Sequence, residues 1–423
     1  MDKQELKQII IEQNLNFHNK EKTIVRDKFG KIEEFKNLPH IIIISGIRRC
    51  GKSTLLEQIN KKLYPLKNKA YLNFEDEKLL NFKVEEFNDI YETFLELDKN
   101  KEVFFFDEIQ NVKNWEIAIR RLYEKKIKFY ITGSNASMLS CELGTKLTGR
   151  HLNITLFPFS FREFLNFKKV RYINDDLYIT EKRVKIKSLF EKYLLKGGMP
   201  EYLTYQKKEL IQQVYEDILY KDILVRYNIT DDKTLRELSK YLLSNIGKEF
   251  SYNKLKSLLG LGSSNTVKNY ISYLENSYLI FTLEKFDYSL KKQIINQKKI
   301  YTIDPAFVEN VSFKFSQDTG RLLENLVFIE LKRRGKEIYY HKDKAECDFV
   351  IKEGLEIVEA IQVSDNMYEE DTKKREIKGI KDAMNKYNLK EGLILTQDEE
   401  YEIKEDNKII KVIPVWKWLL SVV

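Results

Sequence analysis

The chain has 423 residues, of which 43% are hydrophobic and 33% are charged. A chain of this length holds about two to four domains, and its 6 prolines and 16 glycines exclude a disordered, collagen-like or low-complexity protein. Lysine and arginine together number 73 against 65 for aspartate and glutamate. The resulting net charge of +8 permits a polyanionic partner without establishing one.

The sequence lacks the features of a membrane or secreted protein. No run approaches the ~18 consecutive apolar residues of a membrane span, and the first residues contain no apolar core of a secretory signal. The three cysteines, at positions 50, 141 and 347, are far apart, and the four histidines show no metal-ligand spacing. We therefore expect a soluble, cytoplasmic protein with no disulfide framework and no membrane partner.

The first half of the chain has the pattern of an α/β domain. Residues 1–37 are predicted to form a charged helix and a linker. From residue 38 to residue 184, apolar runs alternate with amphipathic helical stretches, which is typical of a parallel sheet with helices on both faces. The predicted strands are residues 40–45, 70–74, 102–106, 128–132 and 151–156.

The second half divides into a helical region and a second α/β region. Residues 185–312 are mostly helical and end with a helix, a short helix, a turn, another helix and two strand-like runs. This order is typical of a winged helix-turn-helix. Residues 313–423 return to alternating strands and helices, which predicts a small α/β domain.

The strongest motif is Gly46-Ile-Arg-Arg-Cys-Gly-Lys-Ser53, which fits G-x-x-x-x-G-K-[ST] between a predicted strand and a predicted helix. Its glycines allow backbone N–H groups to surround phosphate oxygens, and the helix N-terminus adds partial positive charge. Lys52 is predicted to bind the β- and γ-phosphates of ATP, and the Ser53 hydroxyl to bind Mg²⁺. The predicted nucleotide-binding residues are Gly46, Ile47, Arg48, Arg49, Cys50, Gly51, Lys52, Ser53 and Thr54, together with Asp107.

An acidic pair, Asp107 and Glu108, follows the apolar run 103–106. Ligands of open α/β sheets bind at the carboxyl ends of the strands, where this pair is expected. Asp107 is predicted to hold Mg²⁺ and Glu108 to polarise the attacking water as a general base. The alternative is an acid that only caps the strand end.

Two further polar positions are candidates for the catalytic site. The fourth predicted strand ends in Thr132-Gly-Ser-Asn135, from which Ser134 or Asn135 can contact the γ-phosphate or the water; an ordinary turn is the alternative. Arg150 can stabilise transition-state charge, either within the chain or across a contact between subunits of a homo-oligomer. A plain surface arginine is the alternative for Arg150.

Several runs resemble one family of prokaryotic AAA-type ATP-binding proteins, which carry a winged helix and a restriction-nuclease-like C-terminal domain. The resemblance covers nearly the whole chain from about residue 20. It implies an ATPase core, but it implies no biological role, because members of this family largely lack an assigned one. The runs that carry it are residues 46–54, 106–111, 131–136, 147–150, 157–164, 197–202, 221–223 and 347–350, with Trp115.

The C-terminal region departs from the nuclease pattern that the resemblance implies. Such folds have a helix glutamate, a strand aspartate and then E-x-K on the next strand; Glu324 and Asp348 fit the first two places. The third place reads Gln362-Val-Ser364, which lacks both the metal-binding carboxylate and the lysine. We therefore expect a non-catalytic binding scaffold, although a lysine of the following helix, Lys373 or Lys374, could replace the missing one.

The winged-helix region contains candidate contacts to nucleic acid. The second helix begins with polar residues, at positions 263–266 and 268, where base and phosphate contacts are usually made. A lysine-rich ribbon is predicted to follow and to contact phosphates, although winged helices also bind proteins. The lysines of this predicted ribbon are Lys285, Lys291, Lys292, Lys298 and Lys299.

These features together predict a Mg²⁺-dependent ATPase that acts as a nucleotide-driven switch on double-stranded DNA or on a protein partner. One alternative is an ATP-dependent DNA nuclease of mobile-element or defence type, which the missing E-x-K disfavours. The other is a transcription regulator with ATP as a ligand, which the presence of Glu108 disfavours, because a pure ligand switch needs no water-activating base.

Overall fold

The computed structural model describes residues 2–17, 23–65, 69–98, 102–136, 147, 149–313, 318–405 and 407–421. The chain folds into two compact units, Met1–Phe157 with Asn276–Tyr278 and Pro158–Glu275 with Leu279–Val423. Within the described ranges, no helix is long and apolar enough to cross a membrane.

A five-stranded parallel sheet forms the centre of the first unit, with the strand order β2-β3-β4-β1-β5. Every residue of β1 and β3 is buried, which explains why both strands are almost continuously apolar. Because β4 lies between β1 and β3, the polar residues after these three strands share one edge of the sheet. The strands are β1 (Ile41–Ser45), β2 (Lys69–Asn73), β3 (Val103–Asp107), β4 (Lys128–Gly133) and β5 (His151–Thr155).

Helices flank this sheet. Their apolar side chains and those of the strands form one continuous core, in which Phe87, Trp115, Phe104 and Phe106 are buried. This parallel sheet with flanking helices confirms the predicted α/β class of the first half. The helices are α1 (Lys3–Phe17), α2 (Phe29–Glu34), α3 (Lys52–Leu63), α4 (Phe87–Leu97) and α5 (Trp115–Tyr123).

Helix α1 protects the open edge of the sheet with two side-chain amides. Asn14 Nδ2 donates to the carbonyl of Tyr71 at 2.9 Å, and Asn14 Oδ1 accepts from the N–H of Tyr71 at 3.1 Å. Gln13 makes the same two bonds with Asn73, at 3.3 and 2.7 Å. The two amides therefore occupy backbone groups that a further strand would otherwise pair with.

The second unit begins with helices and a small antiparallel sheet of order β6-β8-β7. A π-helical segment, Ile218–Val225, directly continues the helix Lys208–Asp217. The helices are α6 (Phe161–Phe167), α7 (Thr180–Lys196), α8 (Pro200–Tyr205), α9 (Lys208–Asp217), α10 (Asp232–Ser244), α11 (Tyr252–Leu258), α12 (Ser264–Asn276), α13 (Leu290–Ile295) and α14 (Pro305–Val311). The strands are β6 (Glu249–Phe250), β7 (Ile280–Glu284) and β8 (Lys298–Thr302).

A glycine pair at the end of α7 packs against the buried carboxylate of Asp304. Gly198 donates its N–H to Asp304 Oδ2 at 2.7 Å, and a Cβ on Gly197 would lie 1.7 Å from Asp304 Oδ1. The φ of Gly197 is +68° with a ψ of −158°, a conformation that only glycine adopts readily. The Gly-Gly motif therefore has a packing role.

The unit ends in a six-stranded mixed sheet of order β13-β14-β12-β11-β10-β9. The pairs β11–β12 and β12–β14 are parallel, and the other pairs are antiparallel. This sheet confirms the predicted second α/β region. Its strands are β9 (Glu337–Lys342), β10 (Glu346–Glu353), β11 (Glu356–Val363), β12 (Glu391–Thr396), β13 (Tyr401–Glu405) and β14 (Lys408–Pro414). The helices are α15 (Thr319–Arg333), α16 (Glu370–Lys386) and α17 (Val415–Leu420).

Candidate functional site

The loop between β1 and α3 depends on glycine at both of its ends. A Cβ on Gly46 would lie 2.1 Å from the carbonyl oxygen of Leu156, so no larger residue fits there. Gly51, the residue before α3, has a φ of +103°, which L-residues rarely adopt. The loop therefore presents its backbone at the N-terminus of α3, the place where phosphate groups bind in such motifs.

Arg26 supports this loop. Its guanidinium donates to the carbonyl of Cys50 at 2.8 Å and to the carbonyl of Phe157 at 2.6 Å. The side chain is buried, with 4% of its surface exposed. Arg26 therefore connects this loop, the P-loop (residues 46–53), to Phe157, which follows β5. Sequence reasoning could not find this role, because Arg26 lies 24 residues before Cys50 and within no motif.

Lys52 is buried and has three oxygen partners. Its Nζ donates to the carbonyls of Gly46 and Ile47 at 3.1 and 3.2 Å and lies 3.2 Å from Oε1 of Glu108. Burial lowers the pKa of the ammonium, but the charge of Glu108 raises it, and the net pKa lies above the ordinary value. The lysine is therefore charged and paired with the carboxylate after β3.

Asp107 and Glu108 are both buried, and their surroundings shift their pKa values in opposite directions. Burial and then the charge of Glu108 raise the pKa of Asp107, and hydrogen bonds from Ser53 and Thr132 lower it only in part. Burial raises the pKa of Glu108, but the charge of Lys52, the hydrogen bond from Gln110 and the charge of Arg48 together leave this pKa below the ordinary value. Glu108 is therefore ionised, whereas burial and the neighbouring carboxylate favour a proton on Asp107.

Thr132 and Gln110 orient the acidic pair, and sequence reasoning assigned a role to neither. The hydroxyl of Thr132, in β4, donates to Asp107 Oδ1 and accepts the N–H of Glu108 at 3.0 Å. Gln110 Nε2 donates to Glu108 Oε2 at 2.5 Å and to Ser134 Oγ at 3.2 Å. Both residues belong to runs that carry the family resemblance, and this is the only signal that could have found them.

The predicted site residues fall into two groups. The first group lies at the carboxyl edge of β1, β3 and β4 and consists of Lys52, Ser53, Asp107, Glu108 and the buried Asn135. The other P-loop residues lie beside them, and Arg48 forms an ion pair with Glu75 at 2.8 Å.

Arg150 lies elsewhere. It precedes β5, its carbonyl accepts the N–H of Ile41 at the start of β1, and its guanidinium pairs with Glu124 at 3.1 Å. It is thus at the amino-terminal edge of the sheet, and the structure does not bring it to the P-loop of the same chain. Thr148, of the same resembling run, lies outside the described residues.

The predicted lysine ribbon requires a correction. Lys299 is buried, with 2% of its surface exposed, and it contacts three carboxylates; Lys298 is half-buried and pairs with Glu284 at 2.5 Å. Lys299 lies in the middle strand of its sheet, where every residue from Lys299 to Thr302 is buried, and the sequence-based count of lysines did not consider this burial. Lys291 and Lys292, in α13, are exposed.

A P-loop after β1, an acidic pair after β3 and a strand between them define an AAA-type nucleotide-binding fold. The sequence profile of an AAA domain matches residues 38–165. Profiles of two domains of unknown function match residues 187–318 and residues 319–418.

Full-length relatives place the chain in a family. An uncharacterised protein of Methanocaldococcus jannaschii is 37% identical and covers 100% of this chain and 96% of its own length. An uncharacterised protein of Haemophilus influenzae is 31% identical, over 92% of this chain and 96% of that protein. The chain belongs to the family of these relatives, and its sequence carries an AAA domain followed by two domains of unknown function.

Two solved structures show a distant likeness to this chain. AMPPCP-bound DnaA from Aquifex aeolicus is 16% identical, with a TM-score of 0.28 over 60% of this chain and 89% of that chain. Cdc6p from Pyrobaculum aerophilum is 12% identical, with a TM-score of 0.29 over 73% of this chain and 96% of that chain.

Proposed function

We propose that this protein is a Mg²⁺-dependent ATPase whose nucleotide state controls the rest of the chain. The observation that carries the proposal is the convergence of two contacting pairs at one edge of the sheet: Lys52 Nζ lies 3.2 Å from Glu108 Oε1, and Ser53 hydrogen-bonds the carboxylate of Asp107. These are the groups that phosphate binding, metal binding and water activation require. The buried Asn135 beside them is a candidate contact for the γ-phosphate.

The residues present fit a magnesium ion. The carboxylate of Asp107 is buried beside Glu108 and hydrogen-bonded to Ser53, and burial and the charge of Glu108 raise its pKa. Asp107 and Ser53 would hold Mg²⁺, which when bound neutralises charge on the phosphate oxygens. Both ligands are oxygen atoms, as Mg²⁺ prefers.

Glu108 can act as the base once Lys52 changes partner. Phosphate oxygens of ATP would compete with Glu108 for the Lys52 ammonium. A Glu108 carboxylate released in this way would accept a proton from the attacking water while Gln110 fixes its orientation. ATP binding would thus itself prepare the base.

The experiment measures ATP binding and phosphate release for the full chain and its variants. Lys52→Ala is expected to lose both, and Glu108→Gln is expected to bind ATP but to turn over about 10²- to 10⁴-fold more slowly. Glu124→Gln, at the opposite edge of the sheet, is the matched control and should behave as wild type. Steady-state hydrolysis by Glu108→Gln at the wild-type rate would contradict the assignment.

Arg150→Ala separates the two roles left open for this arginine. Its distance from the P-loop of its own chain excludes a direct contact there, so normal turnover is expected if the protein acts as a monomer. A loss of turnover that depends on protein concentration would instead support a homo-oligomer in which Arg150 reaches a neighbouring site.

We further propose that α10, α11, α12 and the sheet β6-β8-β7 form a winged helix that binds double-stranded DNA or a protein partner. The order of these elements supports this interpretation. The exposed Asn265 and Lys268 of α12, with Lys291 and Lys292 of α13, are the candidate contacts. The C-terminal mixed sheet is proposed to be a nuclease-like scaffold without nuclease activity.

A further inference from the structure

A buried lysine lies at the centre of a carboxylate cluster in the C-terminal region. Lys299 Nζ is 2.8 Å from Glu346 Oε1, 2.9 Å from Asp348 Oδ1 and 3.1 Å from Glu324 Oε1. Glu324 belongs to α15, Glu346 and Asp348 to β10, and Lys299 to β8. One ammonium group therefore joins three carboxylates from two different elements.

Other donors also contact the carboxylates of the cluster. The hydroxyl of Tyr301 donates to Glu324 Oε1 at 2.6 Å, and the N–H of Val363 donates to Asp348 Oδ2 at 3.1 Å. Lys342 lies 3.2 Å from Oε2 of Glu346. These bonds fix the carboxylates around the ammonium.

The cluster forms part of the wall of a cavity of about 930 Å³. Glu324, Glu346 and Asp348 line this cavity, as does Gln362, whose Oε1 accepts the N–H of Asp348 at 3.1 Å. Lys299 is not among the lining residues, and it contacts the carboxylates from their buried side. A ligand in the cavity would therefore meet carboxylates that already have a cation behind them.

The burial of Lys299 needs a strong compensating interaction. Transfer of an ammonium group from water to a protein interior is unfavourable unless close counter-charges and hydrogen bonds compensate the lost hydration. Three carboxylate oxygens within 3.1 Å provide that compensation. In other proteins, clusters of carboxylates bind a metal ion in this way. Within the described ranges, no group of three or more His, Cys, Asp or Glu side chains is arranged to hold a metal.

We propose that the Lys299 ammonium is the resident cation of the Glu324, Glu346 and Asp348 cluster and takes the position that a divalent metal would need. The cavity is therefore a metal-independent binding pocket. This role differs from that of the lysine missing at Ser364, because Lys299 comes from β8 and acts from behind the carboxylates. The lysines considered from the sequence are engaged elsewhere: Lys374 pairs with Glu370 at 2.7 Å, and Lys373 lies over the ring of Tyr401.

The experiment counts bound Mn²⁺ by electron paramagnetic resonance on the full chain without nucleotide. Wild type and Asp348→Asn are expected to bind the same amount, since any Mn²⁺ at Ser53 and Asp107 is common to both. Lys299→Met should gain one Mn²⁺ with at least a tenfold higher affinity at this position, and the double variant with Asp348→Asn should lose it. Lys298→Met, which changes the neighbouring lysine, should gain none.

Two outcomes would overturn the proposal. In the first, the wild-type protein binds a Mn²⁺ ion and Asp348→Asn abolishes that binding. The metal would then share the position with the Lys299 ammonium or displace it. The other is a folded Lys299→Met protein that gains no ion. If Lys299→Met does not fold, the comparison of wild type with Asp348→Asn still decides, since it needs no change at Lys299.

Discussion

The Nζ atom of Lys52 lies 3.2 Å from Oε1 of Glu108, so the P-loop lysine and the proposed catalytic base form a buried ion pair. Burial raises the pKa of Glu108, but the charge of Lys52, helped by the Gln110 hydrogen bond and the charge of Arg48, keeps Glu108 ionised. The pair also places the base in competition with phosphate oxygens for the same ammonium. In the proposed ATPase, ATP binding and activation of the base would therefore be linked through one lysine.

This competition predicts that Glu108→Gln binds ATP more tightly than wild type. The amide has no charge to hold Lys52, so less interaction is lost when phosphates take the ammonium. A gain of ~1 kcal/mol, or about fivefold in affinity, is expected. Isothermal titration with a non-hydrolysable ATP analogue measures it, with Glu124→Gln as the control. Weaker binding by Glu108→Gln would contradict the competition and would indicate that Glu108 itself supports nucleotide binding.

Thr132 is predicted to set the acidic limb of the pH profile of hydrolysis. Its hydroxyl lowers the pKa of Asp107, which must be ionised to hold Mg²⁺. Thr132→Val keeps the shape but removes the hydrogen bond, so the pKa of Asp107 should rise and activity should require a higher pH. Turnover at neutral pH is expected to fall about 10- to 100-fold, as for other residues that orient metal ligands.

Thr132→Ser is the matched control, because it keeps the hydroxyl. Rates measured from pH 5.5 to 9 should show the profile of Thr132→Val displaced to higher pH and that of Thr132→Ser unchanged. If both variants lose activity equally at every pH, the threonine has only a packing role.

The contact between Gly197 and Asp304 predicts a large effect of one methyl group. Gly197→Ala would place its Cβ 1.7 Å from Asp304 Oδ1 at a φ of +68°, so both a clash and backbone strain are expected. Gly260→Ala is the matched control, since its φ is +64° and nothing lies within 4 Å of its Cβ. The control should cost ~1 to 2 kcal/mol, and Gly197→Ala should cost clearly more.

Thermal unfolding of the two variants measures this difference. Equal losses for Gly197→Ala and Gly260→Ala would mean that the chain shifts to accept the methyl group. The Gly-Gly motif would then need a different explanation.

The two exposed lysines of α13 are predicted to contact phosphates if the protein binds DNA. Replacement of Lys291 and Lys292 by glutamate should weaken binding equally for all sequences. It should also lower the slope of log affinity against log salt by up to about 2. Replacement of Lys373 and Lys374 in α16 is the control with the same change in charge. If the wild type binds no DNA at low salt, the protein partner is favoured.

The sequence analysis predicted the features that depend on residues close together in the chain. The P-loop, the acidic pair and the alternation of strands and helices depend on neighbouring residues, and the structure contains each of them. The contacts of Arg26, Thr132 and Lys299 were not predicted. Their partners are far away in the sequence, and strand order and register decide which residues meet. The predicted ribbon of five lysines was wrong at Lys299 for the same reason. The number of charges can be counted from the sequence, but the burial of an individual lysine depends on the fold.

The Glu324 carboxyl predicts a pH dependence of stability. Burial and then the charge of Asp348 raise its pKa to about 7, although Lys299 and Tyr301 act in the opposite direction. Between its ordinary value of 4.5 and about 7, the folded chain therefore binds a proton that the unfolded chain does not. Stability from this group is complete at the acidic end of that range and is lost as the pH rises through it.

Glu324→Gln removes this proton while it keeps an oxygen that can accept from Tyr301 and Lys299. The stability of wild type relative to Glu324→Gln should fall by on the order of 3 kcal/mol between pH 4.5 and pH 7.5. Thermal midpoints of both proteins across this range measure the difference, and the comparison cancels other titrating groups such as Asp304. A difference that stays constant with pH would show that Glu324 is ionised throughout, because Lys299 then compensates its charge fully. A difference that rises with pH would mean that the ion pair dominates and that the pKa of Glu324 lies below its ordinary value.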